Sequence, residues 1–297
     1  HNTTKVNMTV TKTYRALPGY FAAFPNEDAE AVDSSKINHL KLINHKSWKE
    51  LYDSIPQDTA THEYKLLVVA RHGQGYHNAA IERYGENKWD EYWSLLNGDE
   101  YGDWVDSKLT PVGKDQVRGT GDTVLLPMIQ SLGFLPHVFF SSPMRRCLET
   151  FIESWTQVFQ EYEPLQGGVS PIILENIRET LGEHTCDKRV DHSIAVEEYQ
   201  EHKMETGHTI QWKYSEDYPE SDQLWRADWR EPESEMDDRV NEGLLEIFEN
   251  VSKDERFISI TCHSGVIGSI LRDLNHPAIE NLATGKVVCT VVEVEKH

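Results

Sequence analysis

The 297-residue sequence predicts an α/β fold, a three-layer sandwich in which a mostly parallel central sheet is flanked by helices. Three observations predict it. Short, almost wholly apolar runs recur along the chain, as in strands buried on both faces. Segments with apolar residues at helical spacing lie between them. Helix-starting residues follow the ends of those runs, so strand and helix alternate as in layered α/β proteins.

Residues 1–63 are polar, apart from an aromatic group (Tyr14, Tyr20, Phe21, Phe24) and a short amphipathic pattern at Trp48, Leu51 and Ile55. They are expected to form an extension packed on a domain spanning 64–297. Lys65-Leu66-Leu67-Val68-Val69-Ala70 is the first predicted strand. Thr110-Pro111 opens a helix, with threonine as N-cap and proline at the first helical position. His137 to Phe140 is the second strand, and Ser142-Pro143 is expected to start the next helix in the same way. Met144, Leu148, Phe151, Trp155 and Val158 give that helix its apolar face. Pro171 to Leu174 reads as a third short strand. Residues 184–233, dense in charge and aromatics, read as an irregular insertion. Ser234 is expected to cap a helix with Met236, Val240, Leu244 and Phe248 on one face. Phe257 to Cys262 is another strand, followed by helical spacing at Val266, Ile267, Ile270 and Leu271, and Val287 to Val294 supplies the last.

Composition excludes several function classes. Lys and Arg number 29 against 50 Asp and Glu, a net charge of −21. Such a surface repels nucleic acid and anionic lipid, so an anion site must be a local basic pocket. No apolar run approaches the ~18–20 residues that cross a bilayer. The four cysteines are scattered, without the spacing of a zinc site or a disulfide framework. Sequons occur at Asn2, Asn7 and Asn250, and the first residues lack the charged-then-apolar pattern of a signal peptide, which gives a cytoplasmic expectation.

Chemistry gathers at the strand-to-helix junctions, where open parallel sheets bind ligands. The first strand ends in Arg71-His72-Gly73, the second leads to Arg145-Arg146, and the later one ends in His263. Two histidines and at least two arginines therefore meet one rim. The helix starts after Ser142 and Ser264 favour an anion there, and Gly73 and Gly265 permit close backbone approach. Taken alone each residue has a plainer reading: Arg145 or Arg146 would pair with Glu149 or Glu153 along its helix. Together they describe a phosphate pocket.

The same residues resemble the histidine phosphatase (phosphoglycerate-mutase-like) superfamily. Arg71-His72-Gly73-Gln74-Gly75-Tyr76-His77-Asn78 is similar to its R-H-G signature, and Leu109-Thr110-Pro111-Val112-Gly113-Lys114-Asp115-Gln116 to its L-T-x-x-G-x-x-Q helix start. Ser142 to Thr150 resembles S-x-L-x-R-A-x-Q-T, Ile177-Arg178-Glu179 the segment of the family's acid, and Thr261 to Gly265 that of its second histidine. The blocks stand in family order from about residue 64 to the end. The Arg71 to Asn78 form and the Cys186-Asp187-Lys188-Arg189 stretch look most like fungal phosphomutase-like proteins. Mutases proper carry Ser and Trp where this chain has Gly75 and His77, and Cys147 and Glu149 replace the family's Ala and Gln.

The resemblance implies a phosphatase of small monoesters or diphosphates working without cofactor or metal. Its small phosphorylated substrate would be its partner, with neither nucleic acid nor membrane involved. His72 would be the nucleophile, Glu179 the acid and then the base, and Arg71, Arg146 and a protonated His263 the holders of the phosphoryl oxygens. Gln74 and Asn78 are further candidates for phosphate and Arg189 for substrate, while Glu175 and Glu183 compete with Glu179 for the acid. Trp89, Tyr92, Trp93, Trp104, Trp212, Tyr214, Tyr218, Trp225 and Trp229 either stack on substrate or form a small core under a long loop. A phosphomutase and a catalytically silent binding module on the same fold are the alternatives. A zinc hydrolase using His72 and His77 lacks the H-E-x-x-H spacing.

Overall fold

The computed structural model describes residues 12–164, 167–200, 202–204 and 207–296. Asn2 and Asn7 lie outside the described residues. Six strands form the central sheet: β1 (Lys12–Leu17), β2 (His62–Arg71), β3 (Val138–Ser141), β4 (Ile172–Ile173), β5 (Phe257–Cys262) and β6 (Val287–Lys296). Their order is β1-β6-β2-β5-β3-β4. The pairings β2–β5, β5–β3 and β3–β4 are parallel, whereas β6 runs antiparallel to both β2 and β1. The segment expected to pack on the domain as an extension thus also supplies an edge strand.

The apolar runs are strands because both faces of the sheet are covered. Leu67, Val69, Ile258 and Ile260 face one helical layer, made by α4 (Glu233–Glu249) and α5 (Ser264–Asp273). Leu66, Val68, Phe139 and Val291 face the other, built on α3 (Arg145–Glu161). Each such side chain, fully buried, is worth about 1.5–3 kcal/mol. Lys65, counted in the first apolar run, is 1% exposed and donates from Nζ to the carbonyls of Ser252 (2.8 Å) and Glu255 (3.1 Å).

Helix α1 (Tyr76–Tyr84) follows β2, and α2 (Pro111–Thr120) starts as predicted, with Thr110 Oγ1 accepting from Gly113 N. Two other starts differ from expectation. Helix α3 begins at Arg145, because Ser142 Oγ bonds Met144 N (3.3 Å) and His263 Nε2 (2.8 Å). Helix α4 begins at Glu233 after Pro232, ahead of Ser234, and its Asp237 bonds Arg272 and Ser269 on α5. Among the described residues, no helix is long and apolar enough to cross a membrane.

Candidate active site

Strand register builds the site. Arg71 lies opposite Cys262, and Thr261 opposite Ser141. The next residues, His72, His263 and Ser142, therefore emerge side by side at one rim. The His72 and His263 ring centroids are 5.2 Å apart, edge to face. From the start of α3, Arg146 Nε donates to His72 Nε2 at 3.3 Å. His72, Arg146 and His263 are at most 2% exposed.

The loop carrying His72 is held by the residues of the sequence blocks. Thr150 Oγ1 accepts from Gly73 N (3.0 Å), and Gln116 Oε1 from Gln74 N (2.8 Å). Gly113 lets α2 approach, since a Cβ there would stand 2.1 Å from Gln74 O. The His72 Nδ1 edge faces the Gly73 carbonyl at 2.6 Å. That oxygen can only accept, so Nδ1 carries the proton and the lone pair sits on Nε2, toward Arg146.

Burial pushes the pKa of His72 well below its ordinary value, and Arg146 and Arg71 push it further. The imidazole is thus neutral and nucleophilic well into acid. The same causes hold His263 down: burial first, then Arg146, His72 and His77. Among cations and out of water the neutral ring of His263 is favoured, whereas a phosphoryl anion beside it would favour the protonated form expected of it. A neutral ring still offers one N–H to an oxyanion.

Of the three acidic candidates, Glu179 reaches the rim. Its Oε2 accepts from Gly265 N (3.2 Å) in the first turn of α5, beside His263, and Oε1 from Thr180 N (3.1 Å). Burial raises its pKa, Asp187 raises it further, and Arg146 opposes both. Glu175 instead bonds Arg178 and the Tyr218 hydroxyl, and Glu183 sits in a turn at φ 56°. Arg146 keeps its charge despite burial because Asp187 Oδ1 accepts from its Nη2 at 2.9 Å. Arg71 Nη1 bonds the Leu282 carbonyl, and its buried Nε has no partner.

Other candidates are placed differently. Gln74 Oε1 accepts from Thr110 Oγ1, and Asn78 Oδ1 from Gly75 N (2.8 Å), so both brace the loop. The substrate role expected of Arg189 finds no support. Its buried guanidinium donates to the carbonyls of Val190, Pro219 and Ser221 and lies over the Tyr218 ring. Neither Arg145 nor Arg146 pairs along its own helix: Arg145 bonds Glu198 and the 105–106 carbonyls, while Glu153 pairs with Arg118. Glu149 accepts from Leu109 N and the Tyr199 hydroxyl.

Among the aromatics, Trp89 and Trp104 form a small core with Ala80 and Cys186, flanked by Trp93, and Trp212 joins the main core. Sequence reasoning noted His77 only as a departure from the mutase pattern and a zinc alternative; it is 7% exposed, with its ring centroid 5.7 Å from that of His72. Sequence reasoning missed Asp187, for a partner of Arg146 forty residues away had no signal. His184, Cys186 and Asp187 bring ligand-type atoms within 4.8 Å of one another. That set suits a cation poorly, since the cations Arg146 and Arg230 already hold both oxygens of Asp187.

No family model matches the chain. It is 65% identical over 282 residues to a probable phosphoglycerate mutase of Saccharomyces cerevisiae, covering 94% of this chain and 96% of that protein. A probable phosphoglycerate mutase of Arthroderma benhamiae is 32% identical, covering 95% and 85%. The chain belongs to the phosphoglycerate-mutase-like histidine phosphatase superfamily. A Candida albicans phosphomutase-like protein is 30% identical, covering 96% and 81%. Solved members of this superfamily similar to the chain include a mycobacterial glucosyl-3-phosphoglycerate phosphatase, 14% identical at a TM-score of 0.40, covering 76% and 89%. The ecdysone phosphate phosphatase of Bombyx mori is 17% identical at a TM-score of 0.43, covering 73% and 81%.

Proposed function

We propose that this histidine phosphatase family member hydrolyses small phosphate monoesters or diphosphates through a phosphohistidine at His72. One observation carries the reading: His72 Nε2 lies 3.3 Å from the Nε of the buried Arg146, its other ring nitrogen against the Gly73 carbonyl, with a second histidine and the half-buried Glu179 carboxyl at the same rim. Nε2 attacks phosphorus as the bond to the leaving oxygen breaks, and the protonated Glu179 carboxyl gives that oxygen its proton. Water then attacks the phosphohistidine while Glu179 takes up the proton, releasing orthophosphate and restoring His72. Arg71, Arg146 and the N–H of His263 hold the phosphoryl oxygens; at ~4 Å and an effective dielectric of ~20, each unit charge pair is worth ~4 kcal/mol. No step requires a metal.

A second reading rests on the names of the fungal relatives: return of the phosphoryl group to product, as in a phosphoglycerate mutase. Gly75 and His77 in place of the mutase residues favour hydrolysis. Phosphate release from sugar phosphates, nucleotides, diphosphates and phosphoglycerates tests the choice. The wild type is expected to release phosphate and the His72→Ala variant none. Isomerisation of phosphoglycerate with a bisphosphate primer, without net release, would favour the mutase. Release unaffected by His72→Ala would reject both.

A further inference from the structure

The Cys186-Asp187-Lys188-Arg189 stretch brings a 3%-exposed carboxylate to a site built for anions. Asp187 ends the 3₁₀ turn Thr185–Asp187. Its Oδ1 accepts from Arg146 Nη2 and its Oδ2 from Arg230 Nη1, both at 2.9 Å. Its backbone carbonyl accepts from Arg178 Nη2 (3.0 Å), and the neighbouring Cys186 carbonyl from Arg146 Nη1 (2.7 Å). A buried carboxylate is costly unless paired and hydrogen-bonded, and here both oxygens are.

Building on the phosphatase reading above, we propose that Asp187 is the internal counter-ion of the site, a positioning residue that fixes the Arg146 guanidinium and keeps the Glu179 carboxyl protonated until substrate needs the proton. The first role follows from geometry. With Asp187 on one terminal nitrogen and the Cys186 carbonyl on the other, the planar fork is anchored beside His72, where its Nε–H can pass from His72 Nε2 to a phosphoryl oxygen as Nε2 attacks.

The second role follows from the charges around Glu179. Arg71 on β2, Arg146 and Cys147 on α3, Cys186 and Asp187 in the turn and Cys262 at the end of β5 all feel its charge, and Gly265 N of α5 donates to its Oε2. Arg239 on α4 donates to its backbone carbonyl, and Arg230 to that of Thr180. Burial keeps the thiols protonated, and the Glu231 carboxylate, which accepts from Leu181 N, is matched by Arg239 on both oxygens, which leaves Asp187 as the carboxylate that raises Glu179. Without it, Arg146, Arg71 and the two N–H donors would draw Glu179 toward carboxylate. Arg230, at the far end of the insertion, balances part of the Asp187 charge.

The test is the pH dependence of kcat/KM for an alkyl phosphate such as glycerol phosphate, whose poor leaving group needs the proton. Asp187→Asn keeps an oxygen for Arg146 but removes the charge. It is expected to lower kcat/KM by about tenfold and move the alkaline limb toward acid. Arg230→Ala strips the counter-charge from Asp187 and is expected to move that limb toward alkali. A smaller folded fraction scales a profile without shifting it, so opposite shifts support the assignment. Limbs unmoved in both variants, or displaced in the same direction, overturn it. If Asp187→Asn does not fold, the more exposed Arg230→Ala decides alone on the same criterion. Turnover that survives His72→Ala, or an alkaline limb that survives Glu179→Gln, overturns the phosphatase reading and this assignment with it. Turnover that needs both residues while the limbs stay put overturns the role of Asp187 alone.

Discussion

Gly265→Ala separates catalysis from stability. Gly265 lies in the first turn of α5, where the backbone is helical and alanine is locally as good or better. The new Cβ would stand 2.2 Å from Glu179 Oε1 and 3.0 Å from its Cδ. The carboxyl is the free end of a flexible chain, so it yields by about 1 Å and loses the Gly265 N–H. That loss, a hydrogen bond to a protonated carboxyl, costs about 0.5–1.5 kcal/mol, offset by about 0.5–1 kcal/mol from glycine replacement. The net, within about 1 kcal/mol, moves Tm by only a few degrees in a chain of this size. An acid displaced by 1 Å costs about 10²-fold in rate. We expect kcat/KM for an alkyl phosphate to fall about a hundredfold while thermal denaturation stays cooperative and near wild type. Activity within threefold of wild type would refute the placement of Glu179 as the acid, and so would a fall fully explained by lost folded protein.

Three further outcomes follow from the same contacts. His72, His77 and His263 all have folded-state pKa values pushed down by burial and neighbouring cations. The unfolded chain therefore binds more protons below pH ~6.5, so their contribution is complete above that pH and lost as pH falls, at up to about 1.4 kcal/mol per unit for each ring. Glu179, shifted upward, works in the opposite sense above the ordinary glutamate value and offsets part of this. Denaturant titrations between pH 5 and 7.5 should show stability rising with pH; a flat line contradicts the buried neutral histidines. Arg189→Met should cost about 2–4 kcal/mol in the same assay, because buried carbonyls lose their donors, yet leave KM for small phosphates within twofold. A large rise in KM at unchanged stability would restore its substrate role. Gly75→Ser should damage activity because its Cβ would meet His77 Nδ1 at 2.7 Å. Adding His77→Ala should recover part of the loss, and purely additive effects would contradict that contact.

The fold class was legible because each parallel strand is apolar on both faces, and the chain alternates accordingly. Which residues share the rim was legible too, since register places the ends of β2, β5 and β3 level. What escaped the sequence was competition among partners. Ser142 before Pro143 has the chemistry of an N-cap, but His263 claims its hydroxyl and α3 begins later. Arg189 has the chemistry of a substrate clamp, but carbonyls of the insertion claim its guanidinium. Glu175, Glu179 and Glu183 are equivalent as text. What separates them is the Gly265 N–H, donated from 86 residues away. Long-range pairings such as Asp187 with Arg146 leave no local periodicity to read.

The most direct measurement is to quench the enzyme during turnover of a labelled phosphate ester and locate the label by peptide mapping. An acid-labile, alkali-stable phosphoryl group on His72, present in the wild type, absent in His72→Ala and accumulating in Glu179→Gln during hydrolysis of a phosphate ester with a good leaving group, is the expected result. Label on any other side chain, or steady hydrolysis with no phosphoenzyme under conditions that trap one, would contradict the central claim.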